Sequence, residues 1–177
     1  ARRLLRRLGR DDIPVAQGAA APLRRDMAPV RALFEAALPT PARRRDDLLG
    51  PSSDVPAAEM LVRLAAARPG QLVVIAIGPM TNLAQALTLD PAFATNVREL
   101  VLMAGSATTY AQNVTVVGDF NAYVDPEALE VVVRSGALVR MVGLDQTSRV
   151  RLTRDDAAAL RAGDDEFARW AGDCADA

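Results

Sequence analysis

Two short stretches of this chain combine side chains and backbone able to hold a ligand. The longer one is Gln112-Asn113-Val114-Thr115-Val116-Val117-Gly118-Asp119-Phe120-Asn121-Ala122-Tyr123-Val124-Asp125-Pro126, which sets two amides and a carboxylate between apolar residues. An asparagine side chain donates and accepts, whereas an ionised aspartate only accepts. Asn113, Asp119 and Asn121 therefore suit a ligand with several hydroxyls, such as a sugar. The structural alternative is that Asn113 and Asn121 bond to nearby backbone and hold a long loop together, and spacing weighs the two equally. The shorter stretch is Gly78-Pro79-Met80-Thr81-Asn82. Proline fixes its own φ and glycine permits close approach, so the Met80 and Thr81 peptide groups are held in one geometry and a carbonyl could be aimed at a cation. A strand-to-helix turn capped by Thr81 or Asn82 explains the same residues, and such turns are common enough that spacing alone favours it.

Composition narrows the chemistry further. The 177 residues include no histidine and one cysteine, Cys174. A histidine-based triad, a histidine acid and a zinc site built from several Cys or His are therefore excluded within this chain. Lys and Arg total 21 against 22 Asp and Glu, a net charge of −1. No basic excess is available to neutralise phosphates, which argues against nucleic acid as a partner. No stretch is long and apolar enough to span a bilayer and no signal peptide is apparent at the N-terminus, so a cytoplasmic protein with no membrane partner is expected. The chain begins at Ala1, and its natural start is expected upstream.

The elements that must position these residues follow an alternating pattern. Helical spacing gives way to short apolar runs and back again, the signature of an α/β layered domain. Arg2, Arg3, Arg6, Arg7 and Arg10 interleave with Leu4, Leu5 and Leu8, predicting a short amphipathic helix with a core-facing leucine stripe. A membrane-surface helix is the alternative there. Ile13 to Ala16 reads as a short strand closed by Gly18, and Ala57 to Ala67 as a helix stopped by Pro69-Gly70. Leu72 to Ile77, Leu100 to Met103 and Leu138 to Val142 read as buried strands of a parallel sheet, the first covered on both faces. A helix with Leu83, Ala86 and Leu87 inward follows the first of these, and a long polar loop to about Val124 follows the second. Asp125-Pro126-Glu127 opens a helix: Asp caps, Pro needs no N–H partner in the first turn, and Glu faces the positive end of the dipole. Thr153 and Asp156 form a capping box, and a last amphipathic segment starts at Asp165. Residues from about 26 to 55 fit poorly, with Pro-rich and Arg-rich text and one helical pattern at Val30 to Ala37; they read as a divergent or mobile surface excursion. In open α/β sheets ligands bind outside the carboxyl ends of the strands, and both candidate stretches lie at such ends.

Taken in order, GPMTNLAQAL (78–87), LVLMAGS (100–106), NVTVVGDFNAYVDPEALEVVV (113–133) and VRMVGLDQT (139–147) closely resemble the inosine-uridine-preferring nucleoside hydrolases. The likeness runs from about Arg3 to Thr153, and Leu8 to Ala19 is similar to that family's second strand region. The resemblance implies an open, mostly parallel sheet flanked by helices on both faces, dimers or tetramers, and hydrolysis of the N-glycosidic bond of ribonucleosides to a base and ribose. It also implies a Ca²⁺ ion that holds the nucleophilic water and the ribose diol. By the same resemblance, the Thr81 backbone carbonyl is a Ca²⁺ ligand, Asn113 and Asp119 bind the ribose 5′-hydroxyl, Asn121 binds the secondary hydroxyls, and Met103 lines the ribose pocket. Asp119 stands where the family usually has Glu.

The family's Asp-rich N-terminal strand end and its C-terminal His-Asp pair have no counterpart here, and its His-Gly loop is replaced by the Pro/Arg-rich stretch. Residues 1–177 are thus expected to form a single partial domain, the central portion of a nucleoside hydrolase, with no catalytic residue of its own and no activity alone. The competing expectation is a non-catalytic nucleoside- or sugar-binding module. A dinucleotide-binding domain is disfavoured because no G-x-G-x-x-G follows a strand.

Overall fold

The three main apolar runs build one sheet. In a computed structural model, which describes residues 1–26, 28–29, 52–108, 113–114 and 118–175, the strands are β1 (Val73–Ala76), β2 (Glu99–Met103) and β3 (Val139–Val142). They pair in parallel in the order β1-β2-β3, with Val74 beside Leu100, Ala76 beside Leu102, and Leu100 beside Val139. The helices are α1 (Arg2–Arg7), α2 (Ala57–Ala67), α3 (Thr81–Leu89), α4 (Phe93–Asn96), α5 (Phe120–Val124), α6 (Pro126–Val133), α7 (Leu144–Thr147), α8 (Arg154–Ala162) and α9 (Glu166–Ala175). An open parallel sheet with connecting helices is the α/β class that the alternating pattern predicts. None of the described helices is long and apolar enough to cross a membrane.

Among the described residues the buried core lies on one side of the sheet. Leu100 and Leu102 of β2 are fully buried and pack in one cluster with Ala58 and Ala65 of α2, Leu83 and Leu87 of α3, Phe93 of α4, and Ala128 and Val132 of α6. Small residues on α2 and α6 let those helices approach closely, while leucines and Phe93 fill the remaining volume. On β1, however, burial alternates. Val74 and Ala76 touch the core, whereas Ile75 and Ile77 are 70% and 79% exposed. An uninterrupted apolar run predicts cover on both faces; among the described residues only one face of β1 is covered. β3 departs similarly, with Arg140 and Met141 exposed at the sheet edge.

The exposure of β1 carries an expected result. Replacing Ile75 and Ile77 together by threonine, which keeps β-branching, should change unfolding free energy by no more than about 0.5 kcal/mol per site, since no packed contact is lost. Binding of a hydrophobic dye should fall. A large loss in a urea melt would mean that this face is packed in solution.

Two N-terminal expectations are corrected. Ile13 to Ala16 forms no strand. Pro14 has no N–H, the Val15 N–H donates to Ser52 Oγ (2.8 Å), and the Val15 carbonyl accepts from the Ser52 (2.9 Å) and Ser53 (3.2 Å) amides. The segment thus pairs with a turn instead of a ladder. Helix α1 forms, but it buries no residue, and Leu4 and Leu8 are exposed. Arg7 ties it to α9, its guanidinium lying 5.2 Å from the Trp170 ring centre.

The C-terminal pattern is realised more closely. Thr153 and Asp156 form the reciprocal capping box of α8. Helix α9 packs on α8 at Gly172, where a Cβ would lie 2.7 Å from the Ala157 carbonyl oxygen, so only glycine permits this approach. The poorly fitting stretch at 26–55, with its helical pattern at Val30 to Ala37, lies almost wholly outside the described residues.

Candidate functional site

The β1-to-α3 turn does not behave as a simple capped turn. Met80 occupies the N-cap without a side-chain cap, and neither Thr81 nor Asn82 caps the helix. Their side chains reach other segments. Asn82 Oδ1 accepts the Ala19 N–H (2.8 Å), and the Thr81 hydroxyl donates to Asp125 Oδ2 (2.6 Å). Thr81 is buried and opens α3, which places its carbonyl in the first turn of that helix at the carboxyl end of β1.

Beyond β2 the expected polar loop ends earlier than the sequence pattern suggests. Phe120 to Val124 is helical because Asp119, in extended backbone (φ −86°, ψ 160°), caps α5 by accepting the Asn121 N–H on Oδ1 (2.9 Å). The signal was an Asp directly ahead of the segment, the ordinary mark of an N-cap. The other oxygen of Asp119 accepts the Gly105 N–H in the loop just after β2. Asp119 is only 1% exposed, so both oxygens serve the interior of the site wall.

Asn121 is buried on α5, and its Nδ2 donates to the Met103 carbonyl (2.8 Å) and lies 3.1 Å from Met103 Sδ. Asn113 is exposed, and its Oδ1 accepts the Phe120 N–H (2.8 Å). The structure therefore gathers Met103, Asn113, Asp119 and Asn121 around the carboxyl end of β2. Both asparagines make the side-chain-to-backbone bonds of the structural alternative. Gln112 and Thr115 to Val117 lie outside the described residues. Thr81 joins this group through Asp125, the residue at which α5 ends and α6 begins.

The β3 end adds residues that the sequence reading placed in a motif but gave no role. The Leu144 N–H donates to the Gly105 carbonyl (2.8 Å), and Asp145 Oδ1 accepts the Ala107 N–H (3.1 Å). At Gly143 a Cβ would stand 3.2 Å from Ser106 Cα and 3.3 Å from the Gly105 oxygen, so the loop after β2 is drawn tightly against this turn. The loop is thus latched by one aspartate from each side. The available signal was the Gly-Leu-Asp string directly after a strand.

Bonds from the Ala107 amide and then from Gln146 hold the Asp145 carboxyl below its ordinary value of 3.8. Its contribution to stability is present above that ordinary value and is lost as the pH falls through the lowered one. Exchange of the Ala107 amide, corrected for its intrinsic rate, should stay slow down to the ordinary value and accelerate only below it. Acceleration that begins near neutrality would show that no such latch exists.

As to a metal, no group of three or more Asp, Glu, His or Cys side chains able to hold an ion occurs among the described residues. Asp125, next to Thr81, already accepts from Thr81, Leu23 and Ala128. Ca²⁺ takes about six to eight oxygen ligands. One carbonyl falls far short of that, so these residues do not form a calcium site by themselves.

Comparison with known proteins extends the resemblance over the whole chain. The profile of the family described as inosine-uridine preferring nucleoside hydrolase matches residues 1–177. Uridine nucleosidase 1 of Arabidopsis thaliana is 35% identical over 159 residues, covering 86% of this chain and 45% of the relative. A pyrimidine-specific ribonucleoside hydrolase of Shewanella woodyi is 35% identical over 179 residues, covering 98% of this chain and 55% of the relative. The chain spans about half the length of the curated relatives it matches. Among solved structures, a plant nucleoside hydrolase superimposes with a TM-score of 0.77 at 29% identity, over 97% of this chain and 54% of the other. A purine-preferring ribonucleoside hydrolase from Gardnerella vaginalis also gives 0.77, at 25% identity, over 97% and 55%. With a profile match over its full length and relatives 35% identical across most of it, the chain belongs to the inosine-uridine preferring nucleoside hydrolase family.

Proposed function

We propose that the protein hydrolyses the N-glycosidic bond of ribonucleosides, releasing a base and ribose, and that this chain supplies the wall that grips the ribose. The observation that carries the reading is the web joining Met103, Asn121, Asp119 and Gly105 at the end of β2, in a chain matched throughout by the family profile. As the glycosidic bond breaks, the ribose gains oxocarbenium character and flattens. Hydroxyl contacts that strengthen during this change lower the barrier, whereas contacts equal in both states do not.

Within this reading Asn121 faces the secondary hydroxyls, Asn113 the 5′-hydroxyl, and Met103 the sugar ring. Asp119 serves the 5′-hydroxyl side of the pocket and holds Asn121 and Gly105 in place. Ca²⁺ belongs to the same reading: the Thr81 carbonyl is its one ligand from this chain, and its carboxylates come from outside the described residues. The partner is a ribonucleoside, and the whole protein assembles as a dimer or tetramer.

Release of base and reducing sugar from uridine and inosine, with and without added Ca²⁺, tests the proposal on both the whole protein and the 177-residue chain. The whole protein should turn over and the chain alone should not. Nucleoside binding without hydrolysis by the whole protein would favour a non-catalytic sugar-binding module. Turnover by the chain alone would place catalytic groups within it.

A further inference from the structure

The Asp125 carboxylate is fully buried, and three donors converge on its two oxygens. Oδ2 accepts the Thr81 hydroxyl (2.6 Å) and the Leu23 N–H (2.9 Å), while Oδ1 accepts the Ala128 N–H (3.1 Å). These donors come from three places: the first turn of α3 at the mouth of β1, the N-terminal strap, and the first turn of α6. Asp125 is also the residue directly after α5, which carries Asn121 four positions earlier. The strap is fastened on both sides of Leu23. The Ala19 N–H donates to Asn82 on α3 (2.8 Å), and Arg25 pairs with Glu127 on α6 (3.0 Å).

The chemistry of the cluster demands a carboxylate. Leu23 and Ala128 present backbone N–H groups that can only donate. An asparagine would have to turn its NH₂ towards one of them in either orientation and so leave a buried donor facing a donor. A helix cap alone needs one acceptor and is met by Ser, Thr or Asn as well as Asp. The acceptor-only group, the complete burial and the two extra donors therefore exceed what capping α6 requires.

We propose that Asp125 is a positioning residue of the site: its carboxylate locks Thr81 at the β1 mouth, Asn121 on α5 and the residue 19–25 strap into one rigid unit. Thr81 and Asn121 come from different strand ends, and among the described residues no hydrogen bond joins them directly. Asp125 supplies the link, through the Thr81 hydroxyl on one side and the α5–α6 junction on the other. The consequence for catalysis rests on the nucleoside hydrolase reading above; the clamp itself does not.

The test is a double-mutant cycle with Thr81→Val and Asp125→Asn in the whole protein, read by uridine and inosine hydrolysis and by amide exchange. Each single variant should lower kcat/KM by about tenfold or more, mainly through kcat, and the double variant should be about as impaired as the worse single one. Multiplying effects, or a Thr81→Val variant with wild-type kinetics, would overturn the proposal. Exchange supplies an arm independent of activity. In Asp125→Asn the Leu23, Ala128 and Asn121 amides should exchange about tenfold faster or more, with Leu100 and Leu102 amides unchanged. Uniform acceleration across the sheet would reduce Asp125 to a general stabiliser and overturn the assignment. If Asp125→Asn fails to fold, Thr81→Val carries both readouts. If the wild-type protein hydrolyses neither nucleoside, the functional proposal fails while the exchange arm still decides whether the clamp exists.

Discussion

Asp119→Ala is expected to destabilise the chain by about 2–3 kcal/mol, seen as a lower urea midpoint with an unchanged slope. Two losses add. Removing the cap from α5, where Oδ1 accepts the Asn121 N–H at 2.9 Å, costs about 1 kcal/mol. Orphaning the Gly105 N–H, which bonds to the other oxygen, costs about 1–3 kcal/mol more because Asp119 is buried and water does not replace it readily. Part of this is offset by no longer burying a carboxylate, which keeps the total below the largest sums of such terms. Asp119→Asn should fall between, since an amide satisfies one of the two N–H donors and opposes the other. Asp119→Glu, the residue that the resemblance would place here, is not expected to be silent. An extra methylene in a packed position costs about 1–3 kcal/mol unless the loop after β2 moves. An Asp119→Ala midpoint equal to wild type would mean that the latch on Gly105 is not formed in solution.

Leu102→Ala should cost about 2–5 kcal/mol, with a fall in melting temperature of about 10 °C for a chain of this size. Leu102 is fully buried on the central strand, beside Ala76 of β1, and belongs to the cluster with Leu83, Phe93 and Val132. Its truncation leaves a cavity between the sheet and helices already built on small residues, which have little freedom to collapse inward. The neighbouring Val101, half-buried on the other face, is the control: Val101→Ala should cost about 1 kcal/mol or less. Similar losses for the two would contradict a one-sided core.

Much of the scaffold was legible because local signals and tertiary demands agree. The helix Ala57–Ala67 ends as its periodicity and Pro69-Gly70 require, the Asp125-Pro126 start caps α6, and Thr153 with Asp156 caps α8. The three strands of the sheet were legible from their apolar runs. Their burial was not, because a run of Val and Ile states that a strand can be covered on two faces and leaves open whether anything is there to cover it. Ile13 to Ala16 misled for a related reason: a short apolar run becomes a strand only beside a partner with free ladder groups, and its neighbours are Ser52, Ser53 and the start of α2.

The site divides along the same line. Residue types singled out Asn113, Asp119 and Asn121 as donors and acceptors suited to a ligand rich in hydroxyls, the order of motifs carried the resemblance to the family that the profile match shows, and Thr81 and Met103 entered the candidate site through that resemblance. Tertiary structure decided how those groups are used. Asp119 faces inward on two amides, Thr81 turns its hydroxyl to Asp125, 44 positions away in sequence, and Leu23 meets the same carboxylate across 102 positions. Contacts at such separations leave no periodicity to read. They exist because buried donors must find acceptors once the sheet and helices have closed around them, and a sequence records the donor and the acceptor without recording that they meet.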